Sequence, residues 1–264
     1  MELAPTTKKR IIIALTFFAI FVITVLGIYF ITKPEATCTD GIKNQKEKGV
    51  DCGGTCTPCD QIFKIQDIVI NETAVVFGGN DSYDAVVKIS NPNDAIGASF
   101  FRYVFNLKDV DGKIIATSEG TSFILPADFK YIADLGIKTE GNVSPSMIEF
   151  LIMDAKWEKL DDIGKPRIGI YSKNFGKVSS GIGSVADAII RNESRYNLNK
   201  ISIVVILRSS ENKIVAVNKT EKNTVRIREE RDFRLNWPYE FPVEVQSIEV
   251  DAQVNVFDSQ SFSF

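Results

Sequence analysis

Residues 101–108 read FRYVFNLK, and residues 201–208 read ISIVVILR. In both segments large apolar residues recur at alternate positions, which is the period of a β-strand with one buried face. The similarity continues through the next turn and strand, where DGKIIA at 111–116 corresponds to ENKIVA at 211–216. Matches in register over so many positions indicate an internal duplication.

Each copy contains about seven short alternating segments separated by turn-forming residues, a spacing typical of an antiparallel β-sandwich. We therefore predict a mainly β fold with two tandem immunoglobulin-like sandwiches, at residues 61–162 and 163–264. The boundary lies in a polar stretch at 161–166, which reads DDIGKP. Since no long linker separates the copies, we expect the sandwiches to pack end to end.

An uncharged apolar segment precedes the two copies, because residues 11–31 read IIIALTFFAIFVITVLGIYFI. At a helical rise of about 1.5 Å per residue, its length matches the roughly 30 Å hydrocarbon core of a bilayer. The segment is too long for the core of a signal peptide, and no small-residue cleavage pattern follows it. We predict a single transmembrane helix at 11–31, which acts as a signal anchor in the lipid bilayer.

Basic residues set the expected orientation of this helix. Lys8, Lys9 and Arg10 directly precede it and only Glu2 opposes them, so residues 1–10 should form a cytoplasmic tail. All four cysteines lie beyond the helix, and disulfides persist in oxidising compartments outside the cytoplasm. The expected localisation is the plasma membrane, with a single pass and extracytoplasmic C-terminal domains.

A cysteine-rich spacer is expected at residues 32–60, and it contains Cys38, Cys52, Cys56 and Cys59. So short a segment cannot bury a hydrophobic core, so we predict that disulfides supply its order. Four cysteines allow three pairings, among which the sequence does not choose. Zinc is an alternative, since C-x2-C at 56–59 is a usable half-site.

Oxygen ligands in the same spacer offer a second alternative. A calcium site could use Asp40, Asn44, Glu47 and Asp51, although their spacing does not match an EF-hand and loop carboxylates are ordinarily just solvated. We predict the disulfide framework, with no metal and no cofactor.

Two sequence patterns resemble known families. The spacer follows C-x-D-G-x-x-N-x-x-E-x-x-x-D-C-G-G-x-C-x-x-C from 38 to 59, which resembles a cysteine motif of bacterial and archaeal surface proteins. The segments DAVVKISNPN at 84–93 and FNLKDVDG at 105–112 resemble the FxLYD and LEA14-like β-sandwich domains. The second copy departs from that pattern and retains only Asn192 of its first element. These resemblances imply a spacer beside an anchor, and sandwiches with an accessory or binding role.

The composition argues against several activities. The chain contains no histidine, so the commonest general base and transition-metal ligand are missing. No P-loop is present. A net charge of −3 gives no basic field for nucleic acid. We predict a protein that is not an enzyme and has no nucleic-acid partner; an enzyme built on paired carboxylates is a remaining alternative.

The aromatic segment FRLNWPYEFP at 233–242 is the main candidate recognition feature. Phe129 and Tyr131 of the first copy align with Phe233 and Leu235, and this alternation indicates a core face. Trp237 has no large counterpart in the first copy and is therefore the candidate binding residue.

Together these features predict a membrane-anchored extracytoplasmic binding or scaffolding protein. Its expected partners are other envelope proteins or glycans. The alternative is a structural subunit or assembly factor of a larger cell-envelope complex.

Overall fold

The computed structural model describes residues 5–32, 37–40, 42–58, 65–160, 164–178, 183–241 and 243–264; within these ranges the side chains of 5–8, 10–14, 28–32 and 142 are not described. Two compact units, Met1–Lys64 and Ile65–Phe264, divide the chain. Both predicted sandwiches fall in the second unit. The predicted boundary between them, at 162/163, lies outside the described residues.

The first unit contains helix α1, Pro5–Thr32. Its apolar residues between Leu15 and Leu26 expose 37–70% of their surface. In the part of the chain that the structure describes, no helix has the length and apolar character needed to cross a membrane. The predicted span 11–31 is thus not found among the described residues, and the side chains of 11–14 and 28–31 lie outside them.

The second unit consists of antiparallel β-strands, as the alternating pattern predicts. The strands are β1 Val69–Gly79, β2 Ser82–Ser90, β3 Ile96–Lys108, β4 Ile114–Ile124, β5 Phe129–Lys138, β6 Met147–Lys159, β7 Ile168–Lys177, β8 Ser184–Asn192, β9 Asn197–Arg208, β10 Ile214–Val225, β11 Glu230–Trp237, β12 Ser247–Gln253 and β13 Phe262–Ser263.

The strand pairing is the same in the two copies. The first copy has sheets β1-β2-β5 and β4-β3-β6, and the second has sheets β7-β8-β11 and β10-β9-β12, with β13 added to β9. Phe105 pairs with Ser118 and Phe150, while Val205 pairs with Asn218 and Val250. The partners of Val205 are the residues that the sequence match aligns with the partners of Phe105. The strand pairing is therefore duplicated together with the sequence.

The four sheets lie in layers, in the order β4-β3-β6, β1-β2-β5, β10-β9-β12 and β11-β8-β7. Side chains of β2 and β3 form the core of the first sandwich, and side chains of β8 and β9 form much of the core of the second. A third cluster joins the two middle sheets through Val86, Tyr131, Ala133, Val204, Ile206 and Val217. The copies therefore meet through the faces of their sheets, which differs from the expected end-to-end packing.

The middle strands are apolar on both faces because both faces are covered. In β9, Ile203 and Val205 point into the second sandwich, whereas Val204 and Ile206 point towards the first copy. Arg102 and Val104, on the corresponding face of β3, do not belong to a core cluster. The unbroken run of apolar residues at 203–207 was the sequence signal for this second buried face.

A buried arginine hydrogen-bonds to both copies where they meet. Arg208, at the end of β9, is 3% exposed. Its Nη1 and Nη2 donate to the two carboxylate oxygens of Glu72 at 2.9 and 2.6 Å, and its Nε donates to Glu249. Nη1 also donates to the carbonyl of Asn212, and Nη2 to the hydroxyl of Tyr131, each at 2.9 Å. All five N–H groups of the guanidinium thus have acceptors, from both copies.

Equivalent buried asparagines hold the loops after β2 and β8. The Nδ2 of Asn91 donates to the carbonyls of Ile96 and Leu125. The Nδ2 of Asn192 donates in the same way to those of Tyr196 and Val225. Asn192, the residue that the second copy retains from the sequence pattern, therefore has a packing role.

This equivalence corrects the alignment of β5 with β11. Ser90 and Arg191 directly precede the two asparagines, and they pair with Phe129 and Glu230. Phe129 therefore corresponds to Glu230 and not to Phe233. The proposed match of Phe129 with Phe233 on a core face is wrong, because Phe129 is 50% exposed and Phe233 is 2% exposed.

We expect Arg208→Lys to lower the free energy of unfolding by about 2–4 kcal/mol, because an ammonium cannot replace the fork of donors and leaves buried acceptors unpaired. Denaturant unfolding followed by circular dichroism measures this change. The matched control is Arg102→Lys, which alters the exposed ion pair with Asp154. It should lower the free energy of unfolding by less than about 1 kcal/mol. Equal effects of the two substitutions would show that the buried cluster does not stabilise the contact.

Candidate functional site

A cleft of about 460 Å³ opens where the two copies meet. Strands β4 and β5 of the first copy form one wall, and strands β9 and β10 of the second form the other. The lining residues include Thr121, Ser122, Phe123, Lys130, Ala133, Lys200, Ser202, Val204, Lys219, Thr220 and Glu221. Its volume is within the range of small-molecule pockets, and such pockets often lie between domains.

Lys130 is the most unusual residue of this cleft. Strand β5 places it opposite Ile89, and it is only 7% exposed. Its Nζ lies 3.3 Å from the centroid of the Phe123 ring, a cation–π contact. Within the described residues, this ammonium group has neither a hydrogen-bond acceptor nor an ion-pair partner.

Burial perturbs the ionisation of Lys130. Removal from water lowers the pKa of its ammonium group from 10.5 to about 7, although Asp251 and Asp128 oppose this change. Burial likewise raises the pKa of Asp251. Asp251 accepts hydrogen bonds from the backbone N–H of Tyr131 and from Nε2 of Gln253, both at 2.8 Å. Asp251 of the second copy thus contacts β5 of the first copy, the strand that carries Lys130.

The other two lysines of the cleft have acceptors. Lys200 Nζ lies 3.0 Å from Glu221. Lys219 Nζ donates to the carbonyl of Ala133 at 2.6 Å and lies 3.4 Å from Asp134. Lys130 is therefore distinguished from its neighbours by burial and by the lack of an acceptor.

This arrangement can do two kinds of chemistry. A cation that borders an open cleft and lacks an acceptor can bind an anion. An amine that is partly neutral near pH 7 can also accept a proton or attack a carbonyl carbon. Perturbed groups of this kind in clefts are typical of functional sites.

The structure places three of the four predicted cysteines in disulfides. Cys38 and Cys56 are bonded to each other, and Cys52 is disulfide-bonded as well; Cys59 lies outside the described residues. Glu47 lies beside Cys38 and Cys56, with ligand atoms within 4.8 Å of one another. Because these two sulfurs are joined, they are not available as zinc thiolates.

Two of the carboxylates proposed for calcium, those of Asp40 and Glu47, accept hydrogen bonds within the spacer, whereas Oδ1 of Asn44 is buried without a partner. Asp40 accepts from the N–H of Ile42 at 2.9 Å and from Nδ2 of Asn44 at 2.8 Å; the Asn44 bond is the main reason why the pKa of Asp40 is lowered. Glu47 accepts from the N–H groups of Asn44 and Asp51 at 3.2 and 3.1 Å. These bonds order the turns, and the calcium site stays an untested prediction.

Trp237, the predicted binding residue, belongs to the core of the second sandwich. It is 3% exposed, and its Nε1 donates to the carbonyl of Val217 at 3.1 Å. The indole is therefore not available on the surface, and it lies apart from the cleft lining.

The sequence reasoning missed Lys130. Its signal was a single lysine in FKYIA at 129–133, where apolar residues occupy both faces of the strand. One lysine in a strand is ordinarily solvated, so the sequence did not separate this position from an exposed one. No family model matches this chain, and no curated protein matches it.

We expect Lys130→Met to raise the free energy of unfolding at pH 6 by about 1–3 kcal/mol, because it removes a charge buried at a cost. The wild type should gain stability as the pH rises above about 7. In that range the unfolded chain, with a lysine pKa near 10.4, binds more protons than the folded chain. Denaturant unfolding at pH 6 and pH 9 measures both effects.

The matched control is Lys200→Met, which removes an exposed and paired ammonium group and should change stability by less than about 0.5 kcal/mol. The free energy of unfolding should differ between the wild type and Lys130→Met by an amount that changes with pH. A difference that is the same at pH 6 and pH 9 would contradict the assigned ionisation of Lys130.

Proposed function

We propose that this chain is a membrane-tethered, extracytoplasmic binding protein without catalytic activity. The observation that carries the binding role is the cleft between the two copies, in which Lys130 is buried and has no acceptor among the described residues. The side chain of Lys130 is buried while its ammonium group borders the cleft, so a bound anion can reach it. The resemblance to LEA14-like sandwich domains agrees with this role.

The tether is a proposal that rests on the sequence. The uncharged segment 11–31 follows three basic residues, and the described part of α1 leaves Phe17, Phe21 and other apolar side chains exposed. A contiguous apolar surface of this kind requires a lipid or protein partner. The disulfides of Cys38 and Cys52 support an oxidising compartment for the residues after the helix.

The proposed location is tested in cells that express the full chain. We expect a protease added to intact cells, with the cell wall removed where present, to digest the β-strand unit 65–264. A cytoplasmic marker protein in the same cells should remain intact. Protection of the β-strand unit until the cells are lysed would overturn the assigned side of the membrane.

The tether itself is tested by membrane fractionation. The double variant Phe17→Lys with Phe21→Lys should move the chain out of the membrane fraction, since inserting each lysine at the centre of a span costs about 2.5–3.5 kcal/mol. Phe17→Leu with Phe21→Leu is the matched control and should stay in the membrane fraction. Retention of the lysine variant would show that this segment is not the anchor.

A further inference from the structure

The strongest unexplained feature is the charge of Lys130. A protonated lysine carries three N–H donors, and the described residues supply none of them with an acceptor. The Phe123 ring faces the Nζ at 3.3 Å, which offsets part of the cost of burial. An anion in the cleft would provide the missing acceptor.

The walls of the cleft indicate the body of such an anion. Phe123, Ala133 and Val204 give apolar surface, and Ser122, Ser202 and Thr220 give hydroxyl groups. A ligand with a flat aromatic or short aliphatic body fits apolar walls, while hydroxyl groups fix the orientation of a few polar atoms. A purely inorganic anion would leave the apolar surface uncovered.

The charges around Lys130 limit the ligand to a single negative charge. Lys200 and Lys219 are already occupied by Glu221, Ala133 and Asp134. Asp128 and Asp251 are the two carboxylates whose charges act on Lys130, and like Glu221 and Asp134 they would repel a second negative charge. Lys130, which has no hydrogen-bond acceptor and no ion pair among the described residues, therefore matches one monoanion.

We propose that the cleft between the two copies binds a small organic monocarboxylate, whose carboxylate pairs with the ammonium group of Lys130 and whose apolar body packs against Phe123 and Val204. This inference rests on the proposed binding function and names its ligand class. Burial lowers the pKa of Lys130 to about 7, and a carboxylate beside the ammonium group would raise this pKa again and hold the lysine protonated.

The test uses the full chain in detergent and the probe 4-fluorobenzoate, with binding read from the broadening of its fluorine NMR signal at pH 6. The neutral analogue 4-fluorobenzamide has nearly the same shape and should bind at least about tenfold more weakly, since hydrogen bonds to a charged group are the stronger ones. Unlabelled benzoate should displace the probe, and inorganic phosphate should not.

Variants assign the site. Lys130→Met should weaken binding of 4-fluorobenzoate at least about tenfold, whereas Lys200→Met, in the same cleft, should keep it within about threefold. Thermal unfolding confirms that both variants fold. Wild-type binding should also weaken from pH 6 to pH 9, as Lys130 loses its proton. The charged groups that act on Lys130 are Asp128 and Asp251, and Lys200, Lys219 and Glu221 line the same cleft.

Three results would overturn the inference: no broadening of the probe at millimolar concentration, equal binding of the acid and the amide, or equal binding by the wild type and Lys130→Met. None of these results bears on the protease and fractionation experiments. A failure of the ligand class is therefore distinguishable from a failure of the proposed location and tether.

Discussion

The structure of the β-strand unit depends on the burial of one sheet face from each copy against the other. Val86 and Ala133 on one side meet Val204 and Ile206 on the other, and a fully buried Val or Ile side chain contributes roughly 1.5–3 kcal/mol. Because these faces are covered, the middle sheets carry apolar residues on both sides. The outer sheets keep the alternation of a sheet with one solvated face.

The same contact explains both polar features of the interface. At the end of β9, Arg208 is buried in the contact between the copies but has an acceptor for every donor. Its charge is therefore compensated. At the cleft, Lys130 is buried and has no acceptor among the described residues, and burial lowers its pKa to about 7. The two cations differ in their partners, and this difference makes one a structural group and the other a candidate ligand group.

Much of the fold could be predicted from local pattern. The alternation at 101–107 and its repeat at 201–207 predicted β3 and β9, and the observed pairing partners of the two strands keep the offset of the sequence match. The alignment of β5 with β11 was wrong because apolar residues at alternate positions can be matched at more than one offset between the copies. The loops held by Asn91 and Asn192 identify the correct offset. The candidate site was not predicted, since a lysine at 130 has no local signal that separates a solvated position from a buried one.

The sequence by itself determined the strands, the duplication and the disulfide-bonded spacer, because each follows from residues close together in the chain or from a repeated pattern. Only the tertiary structure decided that the copies join face to face, that Trp237 is core, and that Lys130 borders a cleft. The contact of Tyr131 with Asp251 joins residues 120 positions apart. Contacts of that separation depend on how whole sheets stack, and no local period in the sequence encodes them.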